Sequence, residues 1–221
     1  MTAKSCLKTV RRTTRKINQC IILFAREPVL GTVKSRLSSA LSPNDTLTLY
    51  EKLLIQAINT SSHCTDAETQ LFGTPSIDHP LFKSYAQSHQ LSLRVQSSGD
   101  LGERMTNAAE NMLRTYKRVA IIGSDCPFIS QSYIEAAFNK LNKSQLVFGP
   151  ATDGGFVLVA CATSGLLDKI FTGVVWGESS VLESVLENAT AENISYDLLP
   201  PLQDIDRPED LELLEQVTWF E

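Results

Sequence analysis

Apolar residues along this chain fall into two patterns. Seven short runs rich in β-branched and aromatic residues, Cys20–Ala25, Thr69–Phe72, Leu91–Gln96, Val119–Gly123, Leu146–Gly149, Phe156–Ala160 and Ile194–Leu199, have the length and composition of strands. Between most of them apolar positions recur every three or four residues. The clearest such stretch starts with Ser42 as N-cap and Pro43 at the first helical position, then places Leu47, Tyr50, Leu53, Leu54, Ala57 and Ile58 on one face. Met105, Ala108, Ala109, Met112 and Leu113 repeat the period ahead of the Val119 run. Both stripes read as core packing.

Strands alternating with helices predict βαβ units, right-handed crossovers and a mostly parallel sheet covered on both faces, an α/β/α sandwich. One connection breaks the pattern. Only Ala151–Gly155, ATDGG, separates the Leu146 and Phe156 runs, too short for a parallel crossover, so these two strands are expected to form an antiparallel hairpin in a mixed sheet. No fixed-period repeat, low-complexity block or Pro/Gly/Ser-rich linker divides the chain. With 221 residues and 43% apolar content, the expectation is one domain over residues 18–221.

Charge sets residues 1–17 apart. Lys4, Lys8, Arg11, Arg12, Arg15 and Lys16 give that segment +6 with no acid, and the rest has 14 basic against 25 acidic groups. An acidic body argues against nucleic acid as a partner. The basic segment lacks a secretory signal's apolar core and cleavage site and is expected to be a disordered extension. No apolar run approaches the length of a membrane span. Five cysteines, Cys6, Cys20, Cys64, Cys126 and Cys161, without CxxC or finger spacing, point to free thiols in a reducing cytoplasm. His63, His79 and His89 lie in polar contexts with no tie to Cys126, which disfavours a catalytic thiol. No heptad or exposed apolar stripe marks a dimer face.

Candidate chemistry gathers at strand ends. GSDCPF, Gly123–Phe128, follows a buried-strand pattern, so Asp125 should sit just beyond a carboxyl end, where open α/β sheets bind ligands and a carboxylate can hold a metal. A turn cap before Pro127 is the plainer role for it. After the first strand, FAREPVLGTVKSRL carries Gly31 and the cations Arg26, Lys34 and Arg36, placed for phosphate binding. A Walker A loop is excluded because Pro28 and Val33 stand where it needs glycine. GDLGERM, Gly99–Met105, brings Gly102 and Arg104 to a helix start. In the hairpin, Asp153 sits beside Gly154 and Gly155, which serve a turn and also allow backbone to approach a ligand. In QDIDRPEDL a helix is expected from Pro208, with Glu209 and Asp210 in its first turn. Asp204 and Asp206 then remain as caps or as the second carboxylate for a hard divalent cation.

These segments together resemble the small bacterial GT-A-fold transferases of the nucleotide-diphospho-sugar transferase superfamily, of arsenosugar-biosynthesis and selenium-domain-associated type. The resemblance runs from Cys20 to Leu214 and includes the VWGESS loop, with the motifs in family order and spacing. It implies a GT-A fold, Mg²⁺ or Mn²⁺ on Asp125 with Asp204 or Asp206, and Arg26, Lys34 and Arg36 facing the phosphates of a nucleotide or nucleotide-sugar donor. A small-molecule acceptor would be deprotonated by Asp153 or Glu178. Gly31, Gly102, Arg104, Gly154 and Gly155 complete the expected nucleotide-binding set. Phe156 replaces the tyrosine usual there, Ser35 a threonine, and Glu178 and Ser179 differ from the usual residues after Trp-Gly. Glycosyl transfer leads. Nucleotidyl transfer from a triphosphate and non-catalytic nucleotide binding are the alternatives, because one fold hosts several chemistries.

Overall fold

The structure is a computed structural model that describes residues 17–220. Cys6 and the six basic residues of the N-terminal segment lie outside the described residues.

All seven expected strands are present: β1 (Gln19–Arg26), β2 (Ala67–Thr74), β3 (Ser92–Val95), β4 (Arg118–Gly123), β5 (Leu146–Pro150), β6 (Phe156–Cys161) and β7 (Tyr196–Leu198). They form one sheet in the order β3-β2-β1-β4-β6-β5-β7. Among the described residues β6 alone runs against the others, antiparallel to both β4 and β5, so the ATDGG hairpin is what makes the sheet mixed. The helices are α1 (Pro43–Ser62), α2 (Pro80–His89), α3 (Leu101–Leu113), α4 (Gln131–Lys140), α5 (Leu166–Phe171) and α6 (Val181–Ala191). Ser42 caps α1 by accepting from the backbone N–H of Asp45, with Pro43 in the first turn.

The period-2 pattern of β1 divides the core. Ile21, Leu23 and Ala25 pack on one face with Tyr50, Leu54 and Ile58 of α1, Phe82 of α2 and Phe138 of α4. Cys20, Ile22 and Phe24 face the opposite layer, with Met105 and Met112 of α3, Phe171 of α5 and Val185 of α6. A strand buried on both faces needs an unbroken apolar run, and this requirement produced the sequence signal. The four cysteines within the described residues are buried and unpaired. No described helix is long and apolar enough to cross a membrane.

The segment after the first loop and the helix expected from Pro208 are both 3-10 helices, Ser35–Ser39 and Pro208–Gln216. Neither has an apolar stripe wide enough to bury a regular α-helix. Instead Leu37 and Ile205, both fully buried, pack with Leu49 and Leu53 of α1 in a small third cluster that fixes both segments to one helix.

Gly102 also has a role different from the one expected. It is buried in the first turn of α3 under the Trp176 ring, which stacks edge-on against Phe171 at 5.2 Å. In Gly102→Ala the new Cβ would lie 2.6 Å from Trp176 Cζ2 and 3.1 Å from Phe171 Cβ. Helix propensity favours alanine by about 1 kcal/mol, whereas overpacking costs about 1–3 kcal/mol. We therefore expect a net loss of stability and a lower urea midpoint. An unchanged or higher midpoint would show that Trp176 yields without cost.

Candidate functional site

Outward from β1 the strands run β2, β3 on one side and β4 on the other, so the chain reverses direction across the sheet between β1 and β4. This switch point opens a crevice at the strands' carboxyl ends, where open α/β sheets bind ligands. A cavity of about 600 Å³ occupies it, lined among others by Arg26, Lys34, Arg36, Gln96, Arg104, Asp125, Asp204 and Asp206.

Each wall has a local cause. Tyr50 reaches from α1 to the end of β1, where its hydroxyl accepts from the Arg26 N–H at 2.8 Å and donates to the Arg26 carbonyl at 2.7 Å. This fixes the start of the first loop, and the Arg26 guanidinium then donates to the Thr32 carbonyl at 2.9 Å. Gln96, just beyond β3, is buried and donates to the Phe72 carbonyl at 2.8 Å, so its side-chain oxygen faces outward and accepts from Arg104 at 3.2 Å. A capping box between Asp100 and Glu103 sets the start of α3, and Arg104 donates a second bond to the Asp100 carbonyl.

The acidic wall is drawn together from distant segments. The Ile205 N–H donates to the Asp125 carbonyl at 3.0 Å and the Cys126 thiol donates to the Gln203 carbonyl at 3.3 Å, laying residues 203–206 alongside the end of β4. Asp210 performs the capping that Asp204 and Asp206 might have done, accepting from the N–H groups of Asp206 and Arg207. Both carboxylates are thereby left for the cavity. Asp206 pairs with Arg36 at 2.6 Å. Lys34, whose side chain is only 3% exposed, places its ammonium 3.0 Å from Asp125 and 3.5 Å from Asp206. Its Nζ makes no hydrogen bond of good geometry, so the attraction is coulombic rather than directional. Asp204 has no such partner: burial, and then the charge of Asp153, push its carboxyl up from 3.8 to about 6, with Lys34 pulling the other way.

Among the described residues no group of three or more His, Cys, Asp or Glu forms a metal cage. The donor set fits a different mode of binding. Mg²⁺ commonly takes one or two carboxylates together with substrate phosphates. Asp125, its side chain 45% exposed, and an under-neutralised Asp204 can provide them from this acidic wall.

A second cavity of about 270 Å³ adjoins the first across Phe24, Gly123 and Phe156. Leu101, Met105, Ile121, Phe156 and Trp176 make much of its wall apolar, and Asp153, Glu178, Arg36 and Arg207 add charge. Asp153 also does ordinary turn work, accepting from the Gly155 N–H at 2.9 Å. Gly154 has φ +94°, and the space of an absent Cβ is filled by the Ser179 carbonyl. A further bond from the Leu182 N–H to the Gly154 carbonyl at 2.9 Å helps fasten the Trp-Gly-Glu loop to the hairpin.

Of the expected site residues, Arg26, Lys34, Arg36, Arg104, Asp125, Asp204 and Asp206 line the first cavity, and Asp153, Gly155 and Glu178 line the second. Gly31 and Gly102 line neither, and Gly154 borders a shallow surface depression beside α6. Gly31 provides a φ of +76° in open space. Tyr50, Gln96, Trp176 and Arg207 were missed as site residues. For Gln96 a signal existed, a polar side chain closing a strand-like run.

With this geometry in view, comparison with known proteins is specific for family. The model of a family described as "Uncharacterized protein conserved in bacteria (DUF2064)" matches residues 45–178. The chain belongs to this family. No curated protein matches it. A protein provisionally described as a nucleotide-diphospho-sugar transferase, from Desulfovibrio desulfuricans G20, is 27% identical, with a TM-score of 0.79 over 89% of this chain and 86% of its own. A cytidylyltransferase from Leptospira borgpetersenii shares the fold at 16% identity and a TM-score of 0.54, covering 90% of this chain and 85% of its own. Glucosyl-3-phosphoglycerate synthase from Mycobacterium tuberculosis, solved with Mn²⁺, uridine diphosphate and phosphoglyceric acid, does so at 13% and 0.54, covering 90% and 75%. This DUF2064 protein therefore has the GT-A fold of the nucleotide-diphospho-sugar transferases.

The acidic wall gives a pH signature. The native carboxyl of Asp204 binds its proton more tightly than the unfolded one, so its contribution favours the fold at low pH and is lost as pH rises from about 4 through about 6. In metal-free buffer Asp204→Asn should stabilise the protein at about pH 7.5 and give less or no gain near pH 4. Urea unfolding at both pH values measures this, and an equal effect at the two would remove the raised carboxyl of Asp204 from the account.

Proposed function

We propose that this DUF2064 protein transfers a glycosyl group from a nucleotide-diphospho-sugar to a hydroxyl on a small acceptor, using a divalent cation held by Asp125 with Asp204 or Asp206. The observation that carries this reading is the pair of adjoining cavities. One is lined by the cations and carboxylates that a nucleotide diphosphate and its metal require. The other is smaller and apolar-walled, with two carboxylates at hand. The order of motifs supports the arsenosugar and selenium-associated subtype.

In this reading Arg26, Arg36 and Arg104 bind and orient the donor's phosphates and nucleoside, and the donated sugar is directed toward the junction at Phe156. The bound ion would act as a Lewis acid, offsetting charge that grows on the departing diphosphate. The acceptor oxygen forms a bond to the anomeric carbon as the bond from that carbon to the diphosphate oxygen breaks. Its proton passes to Asp153 or Glu178. Because leaving-group charge is greatest in the transition state, cations fixed along the first cavity favour that state over bound substrate. Trp176 and Phe156 present aromatic surface to the second chamber, suited to a sugar face or an apolar part of the acceptor.

A panel of nucleotide sugars and nucleoside triphosphates with Mg²⁺, Mn²⁺ or chelator tests the proposal. We expect metal-dependent thermal stabilisation by one nucleotide sugar and release of nucleoside diphosphate from it. Release of pyrophosphate from a triphosphate would instead establish nucleotidyl transfer. For the base, Asp153→Asn and Glu178→Gln should separate. The variant lacking the base loses about 10²–10⁴ in kcat while donor affinity persists. Near-wild-type kcat in both would place the base elsewhere.

A further inference from the structure

Lys34 is the most unusual side chain of the first cavity. Its side chain is 3% exposed, and its buried ammonium lacks any well-directed hydrogen bond and lies between Asp125 and Asp206 at 3.0 and 3.5 Å. Its backbone is strained, with φ +50° in the left-handed region that side chains other than glycine seldom adopt. The residue is held there by its neighbours. Leu37, in the 3-10 turn that begins one residue after Lys34, is buried against Leu49, Leu53 and Ile205, which fixes that turn. The other oxygen of Asp206 is engaged by Arg36 at 2.6 Å. Two of the three carboxylates available to a metal are thus already paired with the protein's own cations.

An ammonium and a divalent cation cannot share this position, since like charges so close repel strongly where water is scarce. Asp125 is needed in either metal arrangement, and it is the carboxylate that Lys34 approaches most closely. A free ion must therefore displace Lys34 and leave a buried charge without its partner. A diphosphate changes that balance. It offers Lys34 the hydrogen-bond acceptors it lacks, in the cavity that Lys34 already lines, and the lysine stem is long enough to swing while the turn stays fixed. Asp125 is then open to the metal.

We propose that Lys34 stands in for the divalent cation, holding Asp125 and Asp206 closed to free metal until the nucleotide's diphosphate draws it away. Metal and nucleotide are consequently taken up together, each raising the other's affinity by the same factor. The inference rests on Asp125 being a metal ligand, as in the reading above.

Calorimetric titration of Mn²⁺ into the nucleotide-free wild type and into Lys34→Gln, each checked for fold by circular dichroism, tests it. Wild type should bind weakly, with a Kd above about 1 mM, and the variant about tenfold to hundredfold more tightly. Uridine diphosphate should bring wild-type affinity to a similar level, after correction for the Mn²⁺–diphosphate complex in solution. Equal binding by the two nucleotide-free proteins overturns the role of Lys34 but leaves the metal site standing. Absence of Mn²⁺ binding from both, with or without uridine diphosphate, overturns the metal site itself and with it this inference. If Lys34→Gln does not fold, wild type decides: tight Mn²⁺ binding without nucleotide refutes the proposal, and Lys34→Arg, which keeps the charge, should exclude Mn²⁺ as wild type does.

Discussion

A buried ammonium held between two carboxylates is the constraint on which the active end of this molecule depends. Lys34 comes from the loop after β1, Asp125 from the end of β4, and Asp206 from the segment that follows β7. None of these segments is regular enough to bury itself by periodicity. They converge because Leu37 and Ile205 share a small apolar cluster on α1 and because Ile205 and Cys126 bond across the two acidic segments. Taking the Lys34 ammonium out of water is costly, and carboxylates that stay partly solvated, Asp125 and Asp206, offset that cost only in part. The arrangement is thus a poor choice for stability and a reasonable one for a site that must later exchange partners.

The sheet explains why these segments meet where they do. Chain order across it reverses between β1 and β4, so the first loop and the Asp125 turn emerge side by side from neighbouring parallel strands. The antiparallel β6 brings the hairpin turn with Asp153 to the same end, because a reversed strand begins where its parallel neighbours finish. Asp153 and Asp204 then repel one another, which contributes to the raised carboxyl of Asp204. One strand of opposite sense thus adds a carboxylate to a site otherwise built from carboxyl ends.

Most of the fold was legible in the sequence because it depends on burial, and burial leaves periodic traces. β1 is buried on both faces and reads as a continuous apolar run; α1 is buried on one and shows its stripe and its Ser-Pro start. The site was only half legible. Residue type announced the carboxylates and cations, but their pairing is set by tertiary contact. Lys34 and Arg36 read as ligand-facing cations, and both engage protein carboxylates at the cavity wall. Tyr50 sat within a core stripe, and its ring does pack there; only its hydroxyl, bonded to both backbone groups of Arg26, serves the site. Gly102 was expected in the nucleotide-binding set, but the group packed against it is Trp176.

Gly102 connects the two cavities. Gly102 begins the helix that carries Arg104 toward the first chamber, and the ring it accommodates walls the second. The Trp-Gly-Glu loop bearing that ring is fastened in turn to the hairpin with Asp153, through Gly154 and Leu182. Arg104, Trp176, Glu178 and Asp153 are therefore tied together by the packing of Gly102 under Trp176 and by the bond between the hairpin and the Trp-Gly-Glu loop, so the two chambers share one wall built from three separate segments.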